Sequence, residues 1–491
     1  MKNKNSSVIK NWAIIGTITV IICISIGLFF YNSYFRQTNA QLIETVPTDA
    51  SFIFQVNDNR TFVQDITPLL PYLNEIMDLK SLPGFEFFME QLQVVKNEFI
   101  ISGHLNGDQY TILYSCKINE NQFDQLIKNL EIDPRNYISF NENKIYNFGT
   151  HYKKFNFTYH SGLFTISENI ELLKKSIAQL ESTKNLLEHQ NFKKIFEIIT
   201  KNKKQNWLIV NNGTFFGGLH QFIKPEYHTF VAQIAKTPLW SAYQIRFNEN
   251  EISMMGYSVV EEDFQKTYDQ QPSQQNLFGS ILPFNTTFYA TLNTPNPVEF
   301  NKGFQNMRVY SQTLDNYNKI LPIKTTYFST SLDSTSYYYV AFQIDTNKTN
   351  ISSFTNPDSL NSKNIYSINA TNLSSIYPLI NNRFKSELLA YFIKYKDYYI
   401  FSSTKEALIY YLKVIPNNNM ESSPYYRFAK SNLPSEFTYE FFLSTSTSHK
   451  WEKYFIKDKH KMKIYNDLKL ITYSYTQPAN QLISVNFFIK F

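Results

Sequence analysis

Histidines are the residues of this chain best suited to acid–base or metal chemistry, because imidazole titrates near neutral pH and binds transition metals. None of them is paired at the four-residue spacing that places two imidazoles on one face of a helix, as in many zinc sites. The eight histidines are dispersed: His104, His151, His160, His189, His220, His228, His449 and His460. This pattern favours surface or partly buried histidines that bind no metal.

Short catalytic and binding motifs are missing from the sequence. It contains no His-Glu-x-x-His, no Cys-x-x-Cys, no nucleophile elbow and no glycine-rich phosphate loop, and it has only 13 glycines. The run Asn57-Asp58-Asn59 carries oxygen ligands but lacks the later Gly and Glu of a calcium loop, so a turn is the favoured interpretation. The sequence therefore predicts no catalytic, cofactor-binding or metal-binding residue, and no cofactor.

Two serines invite a nucleophile interpretation, yet their context favours helix caps. Ser167 precedes an amphipathic pattern with two acidic residues in its first turn, and Ser403 is followed three residues later by Glu406. Neither serine has a histidine or a Gly-x-Ser-x-Gly turn nearby. We therefore predict that Ser167 and Ser403 cap helices.

The segment from His449 to Lys469 is the sharpest local concentration of charge, with seven lysines among aromatic residues. At helical spacing the aromatic residues fall on one side. A basic helix that binds anionic lipid or an acidic polymer would show this pattern. An ordinary amphipathic helix packed on a sheet would show it too, and this second interpretation is favoured.

The front of the chain carries a predicted membrane anchor. No charged residue lies between Lys10 and Arg36, and residues 12–31 are almost wholly apolar, which is enough helix to cross a bilayer. Three lysines precede this span, so the N-terminus is expected to stay cytoplasmic and the bulk of the chain to be exported. A signal peptide cleaved near residue 40 is the alternative. The lipid bilayer is thus a predicted partner, contacted through residues 12–31.

Charge and cysteine content narrow the chemistry of the exported part. Without the three lysines of residues 1–31 it holds 44 basic against 41 acidic side chains, which is too balanced for nucleic-acid binding. Cys116 is its single cysteine, so it cannot form an internal disulfide. Folding must therefore rest on hydrophobic burial.

The two halves of the chain resemble each other. Pro47, Phe52 and Asn57 recur as Pro283, Phe288 and Asn293, a shift of 236 residues that falls to 231 near the ends of the halves. Residues 261–276 are polar and nearly free of aliphatic side chains, as expected of a linker. The predicted organisation is a cytoplasmic tip and anchor at 1–31, a tether at 32–44, a first repeat domain at 45–260, the linker at 261–276 and a second repeat domain at 277–491.

Each half shows a mixed pattern of strands and helices. In the first half, the hydrophobic pattern indicates half-buried strands, turns and short amphipathic helices in succession. The second half repeats that order. We expect strands at 51–56, 98–102, 110–118, 153–159 and 162–166, a turn at 103–109, and helices at 62–79, at 121–130 and after Ser167. The predicted fold class is α+β: one N-terminal transmembrane helix, then two tandem related domains, each a largely antiparallel sheet with packed helices.

The anchor, the Pro-x-x-x-x-Phe-x-x-x-x-Asn strands that begin at Pro47 and Pro283, and a hairpin that ends in Ser before a helix resemble a Bacteroidetes-type family of membrane-anchored envelope proteins with a domain of unknown function. The resemblance spans most of residues 44–491. It implies a single-pass protein of the bacterial inner membrane with a periplasmic body, and it supplies no active-site residues.

Three functions follow as hypotheses. The leading one is a non-catalytic periplasmic protein that offers interaction surfaces to an envelope protein or polymer, because catalytic motifs are missing. The second is a hydrolase of envelope polymers whose residues converge in the cleft between the halves, where no local motif would reveal them. The third is a glycan or lipid binder that uses clustered aromatic residues.

Overall fold

The structure is a computed structural model of the chain. It describes residues 41–57, 98–107, 109–149, 154–182, 185–201, 205–218, 238–248, 250–262, 265, 273–275, 278–294, 326–333, 337–343, 364–367, 391–444, 468–476 and 479–491. The predicted anchor at 12–31, the predicted helix at 62–79 and most of the basic segment after His449 lie outside these residues.

Strands dominate the described part of the chain. The first half contributes β1 Ala50–Val56, β2 Phe99–Asn106, β3 Gln109–Lys117, β4 Tyr137–Phe140, β5 Asn143–Gly149, β6 Lys154–His160, β7 Leu163–Ser167, β8 Trp207–Asn211, β9 Pro238–Asn248 and β10 Glu251–Val260. The second half contributes β11 Gln274–Gln275, β12 Thr286–Thr294, β13 Thr326–Asp333, β14 Tyr338–Gln343, β15 Tyr366–Ser367, β16 Tyr391–Tyr395, β17 Tyr398–Ser402, β18 Glu436–Phe437, β19 Tyr439–Ser444, β20 Leu470–Tyr475 and β21 Leu482–Lys490.

Helices in the described part of the chain are short. The α-helices are α1 Glu120–Asn129, α2 Ile170–Glu181, α3 Gln190–Thr200, α4 Asn212–Gly218, α5 Lys405–Val414 and α6 Pro424–Asn432. Single 3-10 turns lie at Leu42–Thr45, Leu186–Glu188, Phe278–Ser280 and Met420–Ser422. Within the described ranges, no helix combines the length and the apolar character that a membrane crossing requires.

Nineteen of the described strands form one sheet, and every pairing in it is antiparallel. Followed from edge to edge, the hydrogen-bonded order is β4-β5-β6-β7-β3-β2-β1-β8-β9-β10-β21-β20-β19-β12-β13-β14-β17-β16-β15. The two halves meet where β10 pairs with β21 over nine residue pairs, from Glu251 opposite Lys490 to Val259 opposite Leu482.

The predicted fold class is therefore wrong. Two tandem domains, each with its own sheet, would leave an edge strand on either side of the domain boundary, whereas here β10 and β21 pair and carry one sheet through both halves. The physical reason is that an unpaired edge exposes a row of amide and carbonyl groups, and joining two edges satisfies them. The described residues also contain no membrane-spanning helix to complete the predicted class.

The strand order of the second half nevertheless repeats that of the first. In each half the chain forms an equivalent bulge at the same place, between Ala50 and Phe52 in β1 and between Thr286 and Phe288 in β12. A hydroxyl also bonds a backbone carbonyl at the same place: Ser167 Oγ donates to Ile112 O at 2.7 Å, and Ser402 Oγ to Tyr338 O at 2.7 Å. These shared details define equivalent positions in the two halves.

Most of the local predictions that fall on described residues are confirmed. The strands at 51–56, 98–102, 110–118, 153–159 and 162–166 and the helices at 121–130 and after Ser167 are present, with bounds shifted by a few residues. The turn predicted at 103–109 is wrong, since β2 continues to Asn106. The caps are wrong too: Asn169 caps α2 and Thr404 caps α5, because each lies directly before the first helical turn.

Side chains pack on both faces of the sheet in the first half. Along β2, Ile100 belongs to the cluster under α3, which includes Phe192 and Ile195, whereas its neighbour Ile101 belongs to the cluster under α1, which includes Ile127. Adjacent residues of a strand point to opposite faces, so β2 is covered on both sides. This burial explains why Ser102 and His104, which share a face with Ile100, are shielded from solvent.

Candidate functional site

The first candidate site is a polar cluster in the first repeat, here called the histidine cluster: Asp49, Ser102, His104 and Lys175. Asp49 directly precedes β1, Ser102 and His104 lie on β2, and Lys175 lies on α2. Strand alternation puts Ser102 and His104 on one face, and the pairing of Ala50 with His104 brings Asp49 beside the imidazole. The bulge after Ala50 fixes this placement.

The hydrogen bonds of the histidine cluster have the connectivity of a Ser–His–Asp triad. His104 Nε2 lies 3.0 Å from Ser102 Oγ, and His104 Nδ1 lies 2.7 Å from Asp49 Oδ1. Lys175 Nζ donates to the other oxygen, Asp49 Oδ2, at 2.7 Å. The pKa of Asp49 is held well below its usual range, chiefly by the hydrogen bond from His104 and also by Lys175, against the opposing effect of burial.

Burial decides what this arrangement can do. Ser102 is 0% exposed and His104 3% exposed, while Asp49 and Lys175 reach solvent. A serine nucleophile must approach a substrate carbonyl and deliver it to an oxyanion hole. In the described conformation the hydroxyl of Ser102 contacts only protein, so a substrate cannot reach it. The role that this conformation supports is structural, because the hydrogen bonds of the cluster connect the segment before β1 to β2 and α2.

The second repeat carries different residues at the equivalent positions. Asn285 replaces Asp49, Tyr410 replaces Lys175, and Asp333 stands where His104 stands. Asn285 Nδ2 donates to Tyr410 Oη at 3.1 Å, so the contact persists in neutral form. In the first repeat the equivalent contact, between Lys175 and Asp49, is an ion pair.

A second buried polar cluster lies in the second repeat, here called the glutamate cluster: Tyr289, Tyr426, Lys430 and Glu440. Glu440 is 0% exposed, and its Oε1 accepts a hydrogen bond from Tyr289 Oη. The rings of Tyr289 and Tyr426 lie 6.3 Å apart. Burial lowers the pKa of Lys430, an effect opposed by the negative charge of Glu440, and burial also raises the pKa of Tyr426.

The first repeat is apolar or aromatic at the same four positions. Strand register and helix starts match Tyr289 to Ile53, Glu440 to Trp207, Tyr426 to Phe192 and Lys430 to Phe196. Phe192 packs edge-on against Trp240 with ring centroids 4.9 Å apart. The two repeats thus share a scaffold but differ in which part of the core is polar.

An exposed edge strand, here called the β4 edge and made of Tyr137–Phe140, is the third candidate. Tyr137 is 41% and Ile138 43% exposed, although both are large and apolar. β4 pairs with β5 and with no other described strand. Lys144 Nζ lies 4.9 Å from the centroid of the Tyr137 ring.

The histidine cluster and the β4 edge were not predicted from the sequence. The Ser102-x-His104 spacing on a strand was a usable signal, because residues two apart share a face. The third member, Asp49, is 55 residues from His104, and the pairing that joins them is not written in any local motif. Of the other described histidines, His160 ends β6 and His189 directly precedes α3, and neither joins a cluster of metal ligands among the described residues.

Comparison with known proteins adds little. No family model matches the chain, and no curated protein matches it either. Among solved structures, crystal form III of TP0453 is similar to 49% of this chain and 90% of its own length, at 9% identity and a TM-score of 0.27. Crystal form I of TP0453 covers 46% of this chain and 80% of its own length, at 8% identity and a TM-score of 0.25. TM-scores of 0.27 and 0.25 do not establish a common fold.

Proposed function

We propose that this chain is a non-catalytic protein of the bacterial envelope that docks a protein partner along the β4 edge. The proposal keeps the expected setting, with the chain tethered to the inner membrane through residues 12–31 and its bulk in the periplasm. The charge asymmetry around the apolar segment supports this membrane topology. A reporter enzyme that is active only in the periplasm should be active when fused to the C-terminus, and one that is active only in the cytoplasm should be inactive there. The reverse result would refute the topology.

The single observation that carries the docking role is the combination of exposure and edge position in β4. An edge strand offers unpaired amide and carbonyl groups, and an extended segment of a partner can pair with them. Soluble proteins usually protect such edges with charge or proline, but β4 is Tyr-Ile-Ser-Phe. Exposed Tyr137 and Ile138 would supply apolar contacts on the two faces of an added strand.

Site-specific photo-crosslinking in intact cells tests this role. A crosslinking amino acid at Ile138 should yield a discrete adduct with one protein, and the same residue at exposed Ser431 on α6 should not. Tyr137→Asp should reduce the Ile138 adduct several-fold, because it places a charge beside the docked strand. Absence of an adduct at Ile138 in folded, membrane-localised protein would overturn the proposal.

A hydrolase is the second candidate, because the histidine cluster has triad connectivity. It would require a motion that opens Ser102 to substrate, which a fluorophosphonate probe detects as a covalent adduct on the serine. The leading proposal expects no adduct on the native chain and no difference in labelling between it and Ser102→Ala. Labelling that Ser102→Ala and His104→Ala both abolish would favour the hydrolase instead.

A further inference from the structure

A row of side chains crosses eight neighbouring strands on one face of the sheet. Successive cross-strand pairs connect its members directly, so all of them point to the same face. The members, each paired with the next, are Gln55 on β1, Trp207 on β8, Gln244 on β9, Met255 on β10, Asn486 on β21, Ser474 on β20, Glu440 on β19 and Thr291 on β12. We call this set the transverse row; it is polar except for Trp207 and Met255, and the indole of Trp207 carries a polar N–H.

The transverse row is symmetric about the junction of the repeats. Equivalent positions lie at equal distances on either side of the β10–β21 pair: Met255 with Asn486, Gln244 with Ser474, Trp207 with Glu440, and Gln55 with Thr291. Both repeats thus place polar atoms at the same depth under their helices, with different residue types. Because polar side chains recur at this level in both repeats, we interpret the row as a feature of the shared scaffold.

Several buried polar atoms on this row have no hydrogen-bond partner within the described part of the chain. In the first repeat they are Gln55 Oε1, an acceptor, and Trp207 Nε1, a donor, on residues that lie directly opposite each other. In the second repeat Ser474 Oγ is in the same state, as is Thr472 Oγ1 two residues away on the same face. Trp207 is 3% exposed, and Ser474 and Thr472 are 0% exposed.

Buried donors and acceptors in folded proteins are almost always bonded, to protein or to ordered water. A water molecule fits where it finds about two to four polar partners, and an acceptor beside a donor, or two neighbouring hydroxyls, supply such partners. A larger ligand has no route to atoms that are shut off from solvent. A ligand that fits these atoms is therefore small, neutral and able both to donate and to accept hydrogen bonds.

We propose that each repeat encloses an ordered water site along the transverse row: one held by Gln55 and Trp207, the other by Ser474 and Thr472 beside the carboxylate of Glu440. The first site lies on β1 and β8 and the second on β20, the counterpart of β9, so the two repeats place their sites on non-equivalent strands. They complete the hydrogen bonding that the chain leaves open there, in two chemically different ways. This inference does not depend on the docking role of the β4 edge.

Two measurements on the full-length chain in detergent test the proposal. A high-resolution crystal structure should show a density peak within hydrogen-bonding distance of both Trp207 Nε1 and Gln55 Oε1, and a second peak between Ser474 Oγ and Thr472 Oγ1. Ser474→Ala and Thr472→Val should each lower the melting temperature by several degrees, because each takes a partner away from the water.

The reference variant is Ser402→Ala, which removes a hydroxyl that donates to Tyr338 O at 2.7 Å and should also lower the melting temperature. If the sites are dry, deleting Ser474 Oγ or Thr472 Oγ1 removes an unsatisfied group, so the melting temperature would stay constant or rise. Either that result or empty density at both places overturns the proposal.

Discussion

Met255 lies directly opposite Asn486 at the centre of the sheet, and the two residues occupy the same position in their respective repeats. Their numbers differ by 231, the shift that also relates Glu251 and Leu482, the first residues of β10 and β21. An antiparallel pair of equivalent strands has such a self-paired position when the two are related by a two-fold axis. The halves therefore join as the two subunits of a symmetric dimer would, but within one chain.

Next to this axis, the close approach of β9 to β10 depends on Gly256. A Cβ added there would lie 1.8 Å from the carbonyl oxygen of Ala242, a backbone atom that cannot swing away. We predict that Gly256→Ala destabilises the folded chain by about 3 kcal/mol, because β9 must shift to accommodate the methyl group. Urea unfolding followed by tryptophan fluorescence measures the loss.

Gly213→Ala is the matched control. Its added Cβ would meet only Asn211 Oδ1, at an ordinary 3.6 Å, and Gly213 lies within α4. Alanine is favoured over glycine in a helix by up to about 1 kcal/mol, so this variant should be neutral or slightly stabilised. Equal losses at Gly256 and Gly213 would contradict the close contact between β9 and β10.

Leu173 and Leu408 test whether the two halves unfold as one unit. Both are 0% exposed at equivalent places on α2 and α5, so replacement of either by alanine should cost about 2–5 kcal/mol. Because one sheet runs through both halves, each variant should lower the midpoint of a single cooperative transition. Calorimetry should show one peak for the wild type and one displaced peak for each variant.

Independent domains would respond differently to the same changes. Leu173→Ala would then displace one transition and leave a second in place, and Leu408→Ala would do the reverse. Two transitions with this reciprocal response would show that the β10–β21 pairing does not couple the halves. An exposed substitution, Ser431→Ala on α6, controls for effects of mutagenesis alone.

Local structure could be predicted from the sequence because it depends on local patterns. The alternation in β1 and the helical spacing of Leu173 and Ile177 were enough to place a strand and a helix. The recurrence of Pro47 and Phe52 as Pro283 and Phe288 indicated that the halves share an order of elements. These signals require nothing beyond neighbouring residues.

The joining of the halves could not be predicted in the same way. Tyr257 pairs with Ser484 across the repeat junction, and no property of either residue marks the other as its partner. Backbone hydrogen bonds supply the affinity of strand pairing irrespective of side chain, so an edge can pair with a distant strand as readily as it can stay free. The same argument explains why Asp49 beside His104 was missed.

The pH dependence of stability should reveal the ion pairs of Asp49. Its folded pKa lies below the unfolded value, so its stabilisation is complete above the usual carboxyl pKa of about 4 and is lost as the pH falls towards the folded value. Since Asp49 is half-exposed, we expect Asp49→Asn to cost only about 1 kcal/mol at neutral pH.

The measurement is the difference in unfolding free energy between wild type and Asp49→Asn, taken at neutral pH and again near pH 3. The difference should shrink at the lower pH, because Asp49 of the unfolded wild type then takes up a proton, which offsets part of the stabilisation that the folded carboxylate gains from its contacts. Glu188→Gln, which alters an exposed carboxylate in the same repeat, should show no comparable trend. A difference that grows on acidification would contradict the assigned contacts.

Cys116 should be unreactive in the folded chain. It is 2% exposed on β3, and burial raises the pKa of its thiol to about 12, so the thiolate that attacks disulfide reagents is scarce at neutral pH. In a Cys23→Ala background, which leaves Cys116 as the single thiol, a chromogenic disulfide reagent should label the native protein only as fast as the sheet opens.

Labelling should be rapid and stoichiometric in concentrated guanidinium chloride. Raising the pH from about 7 to 9 should barely change the native rate, because opening of the sheet, and not ionisation of the thiol, limits labelling. Gly256→Ala should accelerate labelling, since it weakens the sheet that shields Cys116, whereas Gly213→Ala should leave the rate unchanged. Rapid labelling of the native wild type would show that β3 is accessible to solvent and that the core cluster around Cys116 is not closed.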